Sequence, residues 1–409
     1  MTAPVVEVVY GTRPEAIKCA PLVAALRDRP GIRTRVTVTG QHRGVADEIN
    51  AYFGITPDAD LDVLRTGSAL AETSSAIFSA LSARWMDDAP DVVVVQGDTA
   101  SAALAAVAGY YAGARVVHLE AGLRSGDIHS PFPEEGNRRL IAPLASLHLA
   151  PTDAAATHLR SENVPASDIV VTGNTGIDAL HHQLRHPLPF SDARIEHLAS
   201  GTDRLVLVTL HRRESWGGGL GRVARGIVDA LADVHDVHAV LPLHPNPRVR
   251  AEVEAAVAGF ERIVLCDPLP YAQFGRMLGR AYAVVTDSGG VQEEAPALGV
   301  PVIVARETTE RAEGVAAGAA VLVGTDRHRV RDELHRLLTD TAAHAAMSRA
   351  RSLYGDGRAA ERSADAIERL LLRVSAHPTA AGPHPAASAT TPQVVATTAD
   401  PQSAVPAVR

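Results

Sequence analysis

The chain has 409 residues, enough for two domains of roughly 150 to 200 residues each. Its 46% hydrophobic and 21% charged side chains exclude a disordered or fibrous protein. Lys and Arg number 39 against 47 Asp and Glu, a formal net charge of −8 with no like-charged block, so nothing recommends nucleic acid as a partner.

The opening residues carry no basic lead, and Glu7 interrupts the first apolar run; a cytoplasmic protein without a leader is expected. Cys19 and Cys266 are too few and too far apart to staple a secreted fold, and neither has metal-ligand spacing. Short β-branched runs at residues 5–10, 34–39, 91–96 and 116–120 alternate with stretches of helical period, the rhythm of a parallel sheet. Residues 92–95 are four consecutive valines, apolar on both faces as a central strand covered by helices must be. The longest uncharged stretch, residues 99–114, contains Gly109 and falls short of the about 20 apolar residues that span a bilayer, so no membrane is expected as a partner.

After a Pro- and His-rich patch at 181–189 the rhythm restarts with runs at 205–210, 237–241, 262–265, 282–286 and 300–304. The expected fold class is α/β, with two doubly wound Rossmann-like domains facing a cleft where the strand ends meet. Residues 1–178 form the first domain and 179–355 the second; 356–374 form a C-terminal helix packing back on the first domain. Residues 375–409, with six prolines, form a disordered tail.

The chemistry sits where strands end. The first strand runs into Gly11-Thr12-Arg13-Pro14-Glu15-Ala16-Ile17-Lys18, where Thr12 can cap, Pro14 suits the opening turn, and Arg13 and Lys18 could meet a phosphate at a helix N-terminus. Taken alone, the segment reads better as a plain strand-helix turn with two surface cations. Asp98 follows the valine strand, either as a cap for the helix beginning near Thr99 or as a functional acid. Glu120 closes the next strand and Glu134 opens the next helix after Pro131-Phe132-Pro133. Three carboxylates delivered to one sheet edge perturb one another's proton affinities, an arrangement suited to proton transfer. In the second half His211 lies just past a strand, as does His244 after the next one; either could be an ordinary loop histidine. The segment Asp287-Ser288-Gly289-Gly290-Val291-Gln292-Glu293-Glu294 lets backbone amides approach a diphosphate, with Glu294 placed to accept from a ribose diol. It is neither a Walker A nor a Gly-x-Gly-x-x-Gly motif.

These segments, together with Glu120-Ala121-Gly122-Leu123-Arg124, Pro131-Phe132-Pro133-Glu134-Glu135 and His211-Arg212-Arg213-Glu214, resemble in order the bacterial non-hydrolysing UDP-N-acetylglucosamine 2-epimerases, from about residue 5 to about residue 373. The resemblance implies a glycosyltransferase-B-type fold, a homodimer, and interconversion of UDP-GlcNAc and UDP-ManNAc without metal or nicotinamide. UDP would leave through a 2-acetamidoglucal intermediate and add back. It also implies Asp98, Glu120 and Glu134 as acid/base groups, with Arg13, Lys18 and His211 contacting diphosphate or sugar and assisting catalysis. Phe274 would lie near the uracil, Ser288, Gly289 and Gly290 on the phosphates, Glu294 on the ribose and Arg311 on the nucleotide.

Leu269 stands where some relatives carry Gln beside the uracil, and Gly44 replaces the later Gln of the segment that binds an activating second UDP-GlcNAc in many relatives, although Gln41 is present. Two further readings fit the same architecture: a hydrolysing epimerase releasing free ManNAc and UDP, and a glycosyltransferase, which would not need three convergent acids.

Overall fold

The computed structural model describes residues 3–40, 45–63, 69–211, 216–349 and 353–376. The expected tail from residue 377 onward, the 41–44 segment and Arg212 to Glu214 of the His211 motif lie outside the described residues.

The first half alternates β1 (Val5–Tyr10), α1 (Arg13–Arg27), β2 (Arg33–Val38), α2 (Val45–Tyr52), β3 (Ala59–Asp60), α3 (Leu70–Trp85), β4 (Val92–Gln96) and α4 (Ala100–Tyr111). It continues through β5 (Arg115–Leu119), α5 (Glu134–Ile141), β6 (Ala145–Ala150), α6 (Asp153–Ser161), β7 (Ile169–Val171) and α7 (Thr175–Arg185). The second half runs α8 (Ala193–Ser200), β8 (Arg204–Thr209), α9 (Gly219–Leu231), β9 (Val237–Pro242), α10 (Pro247–Val257), β10 (Ile263–Cys266), α11 (Tyr271–Arg280) and β11 (Ala283–Thr286). It closes with α12 (Gly289–Ala297), β12 (Val302–Val304), α13 (Ala312–Ala316), β13 (Ala320–Leu322), α14 (Arg327–Thr339), α15 (Thr341–Ser348) and α16 (Ala359–Ala376).

Both sheets are parallel, ordered β3-β2-β1-β4-β5-β6-β7 and β10-β9-β8-β11-β12-β13. The order reverses between β1 and β4 in the first and between β8 and β11 in the second, so the loops after those four strands diverge around a crevice. The valines of β4 are fully buried: Val92 and Val94 pack with α1, Val93 and Val95 with α3 and α4. Helix α4 can lie this close because it is built of small residues; a Cβ on Gly109 would stand 3.0 Å from Val93 Cγ2.

The runs expected as strands are found with ends shifted by a residue or two. β3, β6, β7 and β13 were not anticipated, being two to six residues long and, in β6, carrying a histidine at position 148. The expected boundary between residues 178 and 179 falls inside α7, a continuous helix that packs against α1 and α16 on one side and α11 and α12 on the other. The C-terminal helix starts at Ala359, not 356; the Asp178 carboxylate accepts from the backbone N–H groups of Ala359 and Ala360 at its first turn. It takes in residues 375 and 376 and lies along α1. Among the described residues no helix is long and apolar enough to cross a membrane.

Candidate active site

The turn after β1 is fastened by Glu15. One carboxylate oxygen accepts the backbone N–H groups of Gly11 (3.0 Å) and Thr12 (2.8 Å), and the other the Thr99 hydroxyl at 2.6 Å, tying the β1 and β4 loops together. The Thr99 hydroxyl in turn accepts from Ala102 N–H and caps α4, so Asp98 is not the cap. Asp98 is half-buried and faces α5, where Arg138 Nη1 donates to its Oδ2 at 2.5 Å and the Asn137 side chain donates to its backbone carbonyl at 2.8 Å.

Glu120 sits past β5 at φ +63°, a region a side chain other than Gly seldom adopts and one that costs of order 1–3 kcal/mol. Its carboxylate is buried and fully engaged: Oε1 accepts from Lys18 Nζ at 2.5 Å and from Asn174 Nδ2 at 3.0 Å, and Oε2 accepts from Gln96 Nε2. Glu134 is the first residue of α5, and its buried Oε2 accepts no hydrogen bond from any described residue. Neighbouring Glu135 is fully buried and structural, accepting from Ser125 N–H, Arg138 Nε and Arg139 Nε at 3.0–3.1 Å.

The environments drive two of these acids apart. Burial raises Asp98 above the ordinary carboxylate value; Arg138 opposes this, while the negative charges of Glu120 and Glu134 add to it. Burial acts the same way on Glu120, but the Lys18 ammonium and its hydrogen bond win and hold Glu120 low. Lys18 is held above its usual value, against burial, by Glu120 and Glu293. Burial thus raises one acid while Lys18 lowers the other.

Across the crevice, His211 follows β8. Its backbone N–H donates to Asp287 Oδ2 at 2.8 Å, and its Nδ1 lies 2.8 Å from Oδ1 of the same fully buried carboxylate, which holds the ring in place. His211, Phe274, Ser288, Leu269 and His244 from the second half and Arg13 from the first line one cavity of about 410 Å³, within the usual range for a small-molecule site. Ser288 precedes α12, whose first residues are Gly289 and Gly290. A Cβ on Gly289 would stand 3.3 Å from Arg311 Cζ, so the guanidinium lies over the opening of the helix. Arg311 Nε donates to Glu293 Oε1 at 2.8 Å. Burial, reinforced by Glu293 and opposed by Lys18, pushes Glu294 up to about 7.

Of the residues named from the sequence, Arg13, His211, Phe274 and Ser288 line that cavity, Lys18 pairs with Glu120 and Arg311 lies over Gly289, while Asp98, Glu120 and Glu134 follow strands of the first sheet and are not part of the cavity lining. Sequence reasoning missed Asn174, Gln96, Arg138 and Glu293. Arg138 stands one helical turn after Glu134, a spacing that places both on one face of α5. Asn174 follows a strand of three residues, too short to have been expected.

Two Rossmann-like sheets facing one crevice define the glycosyltransferase-B-type architecture. The chain belongs to the UDP-N-acetylglucosamine 2-epimerase family, whose family model matches residues 24–368. A UDP-N-acetylglucosamine 2-epimerase of Yersinia pestis is 44% identical over 365 residues, 88% of this chain and 97% of the relative. The crystal structure of a UDP-GlcNAc 2-epimerase from Neisseria meningitidis bound to UDP-GlcNAc is 35% identical, with a TM-score of 0.80 over 90% of this chain and 100% of that one. A crystal structure of the glycotransferase of kitacinnamycin, 17% identical with a TM-score of 0.61 over 91% of this chain and 100% of that one, shares the fold alone.

Proposed function

We propose that this protein interconverts UDP-GlcNAc and UDP-ManNAc without hydrolysis. A base removes the proton from C2 while the C1–O bond breaks and UDP carries off the electron pair, giving 2-acetamidoglucal. UDP oxygen then bonds again to C1 as a proton is delivered to the other face of C2. The observation that carries this reading is the placing of two acids at the ends of neighbouring strands with a different cation on each, Lys18 at 2.5 Å from buried Glu120 and Arg138 at 2.5 Å from Asp98. Burial pushes the proton affinity of Asp98 up while Lys18 holds that of Glu120 down. Asp98 and Glu134 are assigned to proton transfer at C2. Glu120, kept ionised by Lys18, stabilises the positive charge that develops at C1 as UDP departs.

Arg13, His211 and Arg311, with the N-terminal amides of α12 at Ser288, Gly289 and Gly290, are assigned to the diphosphate, Phe274 to the uracil and Glu294 to the ribose. Residues 1–178 supply the acids, and 179–355 grip the nucleotide. The family name and the bound ligand of the Neisseria structure support the substrate. A solvent-exchange experiment separates the readings: deuterium at C2 of recovered UDP-sugar, with no acceptor present and no free ManNAc, is expected. Free ManNAc accumulating in place of UDP-ManNAc would support hydrolysis, and absence of exchange would support glycosyl transfer. The expected homodimer has a candidate face in exposed Tyr110 and Tyr111, whose rings lie 6.1 Å apart, with Phe78 edge-on to Tyr111 at 6.0 Å. Sedimentation of Tyr111→Glu as a monomer, with wild type a dimer, would bear that out.

A further inference from the structure

We propose that Asn174 is a positioning residue that, through Glu293 and Arg311, couples the nucleotide end of the crevice to the Glu120 carboxylate. The proposal rests on the reading that UDP occupies that end.

Asn174 lies just past β7 and caps α7, its Oδ1 accepting Gly176 N–H at 2.9 Å while its own backbone N–H donates to the Tyr354 carbonyl at 2.6 Å. With the backbone and Oδ1 both fixed, the direction of Nδ2 is fixed too. It donates to Glu120 Oε1 at 3.0 Å, from the first sheet, and to Glu293 Oε2 at 2.5 Å, from α12 in the second. Capping does not require this, since Ser or Asp would satisfy the helix equally well. A primary amide is the short side chain that accepts at the cap and also offers two donors, one for each carboxylate. Asp would add a third negative charge between the two already there.

Around this amide stand the carboxyl groups of Glu120 and Glu293 and the cations Lys18 and Arg311, with Glu310 a further partner of Arg311 at 3.7 Å. Lys18 bonds Glu120 and feels Glu293, while Arg311 bonds Glu293 and feels Glu120. Glu294 and Tyr354 neighbour Glu293, and Asp98, His118 and Cys19 neighbour Glu120. A diphosphate arriving over Gly289 competes with Glu293 for Arg311. Drawing the guanidinium toward phosphate leaves Glu293 and Glu120 less compensated, and the proton affinity of Glu120 rises. Linkage makes the effect reciprocal, so protonating Glu120 favours UDP binding. Removing the charge of Glu293 frees Arg311 for the phosphates and takes a negative neighbour from Glu120, so it tightens UDP binding and makes Glu120 easier to ionise. As UDP gains charge on leaving C1, the same connection reports that change to the anion beneath the sugar.

The test is calorimetric titration of the full chain with UDP, paired with the pH profile of C2 exchange on UDP-GlcNAc. Glu293→Gln keeps the shape and removes the charge; it is expected to bind UDP about fivefold more tightly, with the acid limb of the exchange profile moved to lower pH. Asn174→Ser keeps the cap and removes both donors. It is expected to hold UDP affinity within about twofold while the acid limb moves to higher pH and the exchange rate falls at least tenfold. A purely structural role would lower thermal stability and leave both limbs in place. Wild type that binds UDP, with Glu293→Gln binding no more tightly, overturns the proposal alone. Wild type that binds no UDP overturns the functional reading and this proposal with it.

Discussion

Replacing Lys18 with Met removes the cation that keeps Glu120 ionised while preserving the length of the buried stem. The Lys18–Glu120 contact is 2.5 Å, and Glu120 is 7% exposed. At an effective dielectric of about 20, opposite charges about 4 Å apart attract by roughly 4 kcal/mol. Relief of the burial cost of Lys18 returns part of that, and the donors Asn174 and Gln96 remain, so the net loss is about 3 kcal/mol at alkaline pH. The sign with pH follows from the two states of Glu120. In wild type its proton affinity is depressed, so its contribution is present above the ordinary carboxylate value and lost as the solution turns acid. Without Lys18, burial dominates and the affinity is raised, so the contribution is lost instead as pH rises. The stability gap between variant and wild type should therefore widen as pH rises from below the ordinary carboxylate value of 4.5 to above it, toward about 3 kcal/mol. Urea unfolding across that range measures it. A gap of the same size at both ends would refute the reasoning, because Lys18 would then act by packing and not by charge. Combining Lys18→Met with Glu120→Gln should recover most of the loss.

Asp98→Asn, Glu120→Gln and Glu134→Gln should each lower turnover by about 10² to 10⁴ while leaving UDP affinity within a few-fold, measured by exchange kinetics and calorimetry; three variants at wild-type rate would remove the acid assignment. Glu294, raised to about 7 by burial and Glu293, favours folding only while protonated, so its contribution is lost as pH rises from its ordinary 4.5 to about 7. Glu294→Gln should consequently gain up to about 3 kcal/mol over wild type above pH 7, and no gain in urea unfolding at pH 8 would contradict this. His118 and His148 are paired in register on β5 and β6 and fully buried; burial lowers them to about 3 and about 4. Their contribution is whole above pH 6.5 and falls away as they are forced to protonate. His148→Gln should flatten the acid slope of stability between pH 6.5 and 4 by about 3 kcal/mol, which thermal unfolding at several pH values would register.

Much of the site could be read from the sequence because the fold places chemistry at strand ends, and strand ends show as a β-branched run followed by Gly, Asp or Glu. Gly97-Asp98, Glu120 and Ser288-Gly289-Gly290 all follow such runs, whereas β7 and β13, three residues each, are too short to stand out. What could not be read is partnership across the chain. Glu7 interrupts an apolar run, as a solvated residue would, but it is fully buried. It forms an ion pair with Arg35 at 2.7 Å and accepts from the Thr37 hydroxyl at 2.6 Å and from Arg84 Nε and Trp85 Nε1 at 3.2 Å each. Those partners lie on β2 and α3, and no local pattern announces them. Asn174 is the same case: its cap role is local, whereas its two acceptors are 54 and 119 residues away. The divergence of Asp98 and Glu120 likewise comes from the burial of Asp98, against the pull of Arg138, and from Lys18 on Glu120; sequence alone places both cations on helices without saying which acid each one meets.

The central claim is that a C2 proton is exchanged while UDP is released and recaptured within one crevice. Proton NMR of UDP-GlcNAc incubated with the protein in D₂O tests it most directly. The account predicts loss of the C2 proton signal from both UDP-GlcNAc and newly formed UDP-ManNAc, with no free sugar. Epimerised product that retains protium at C2, or substrate that never exchanges, would contradict it.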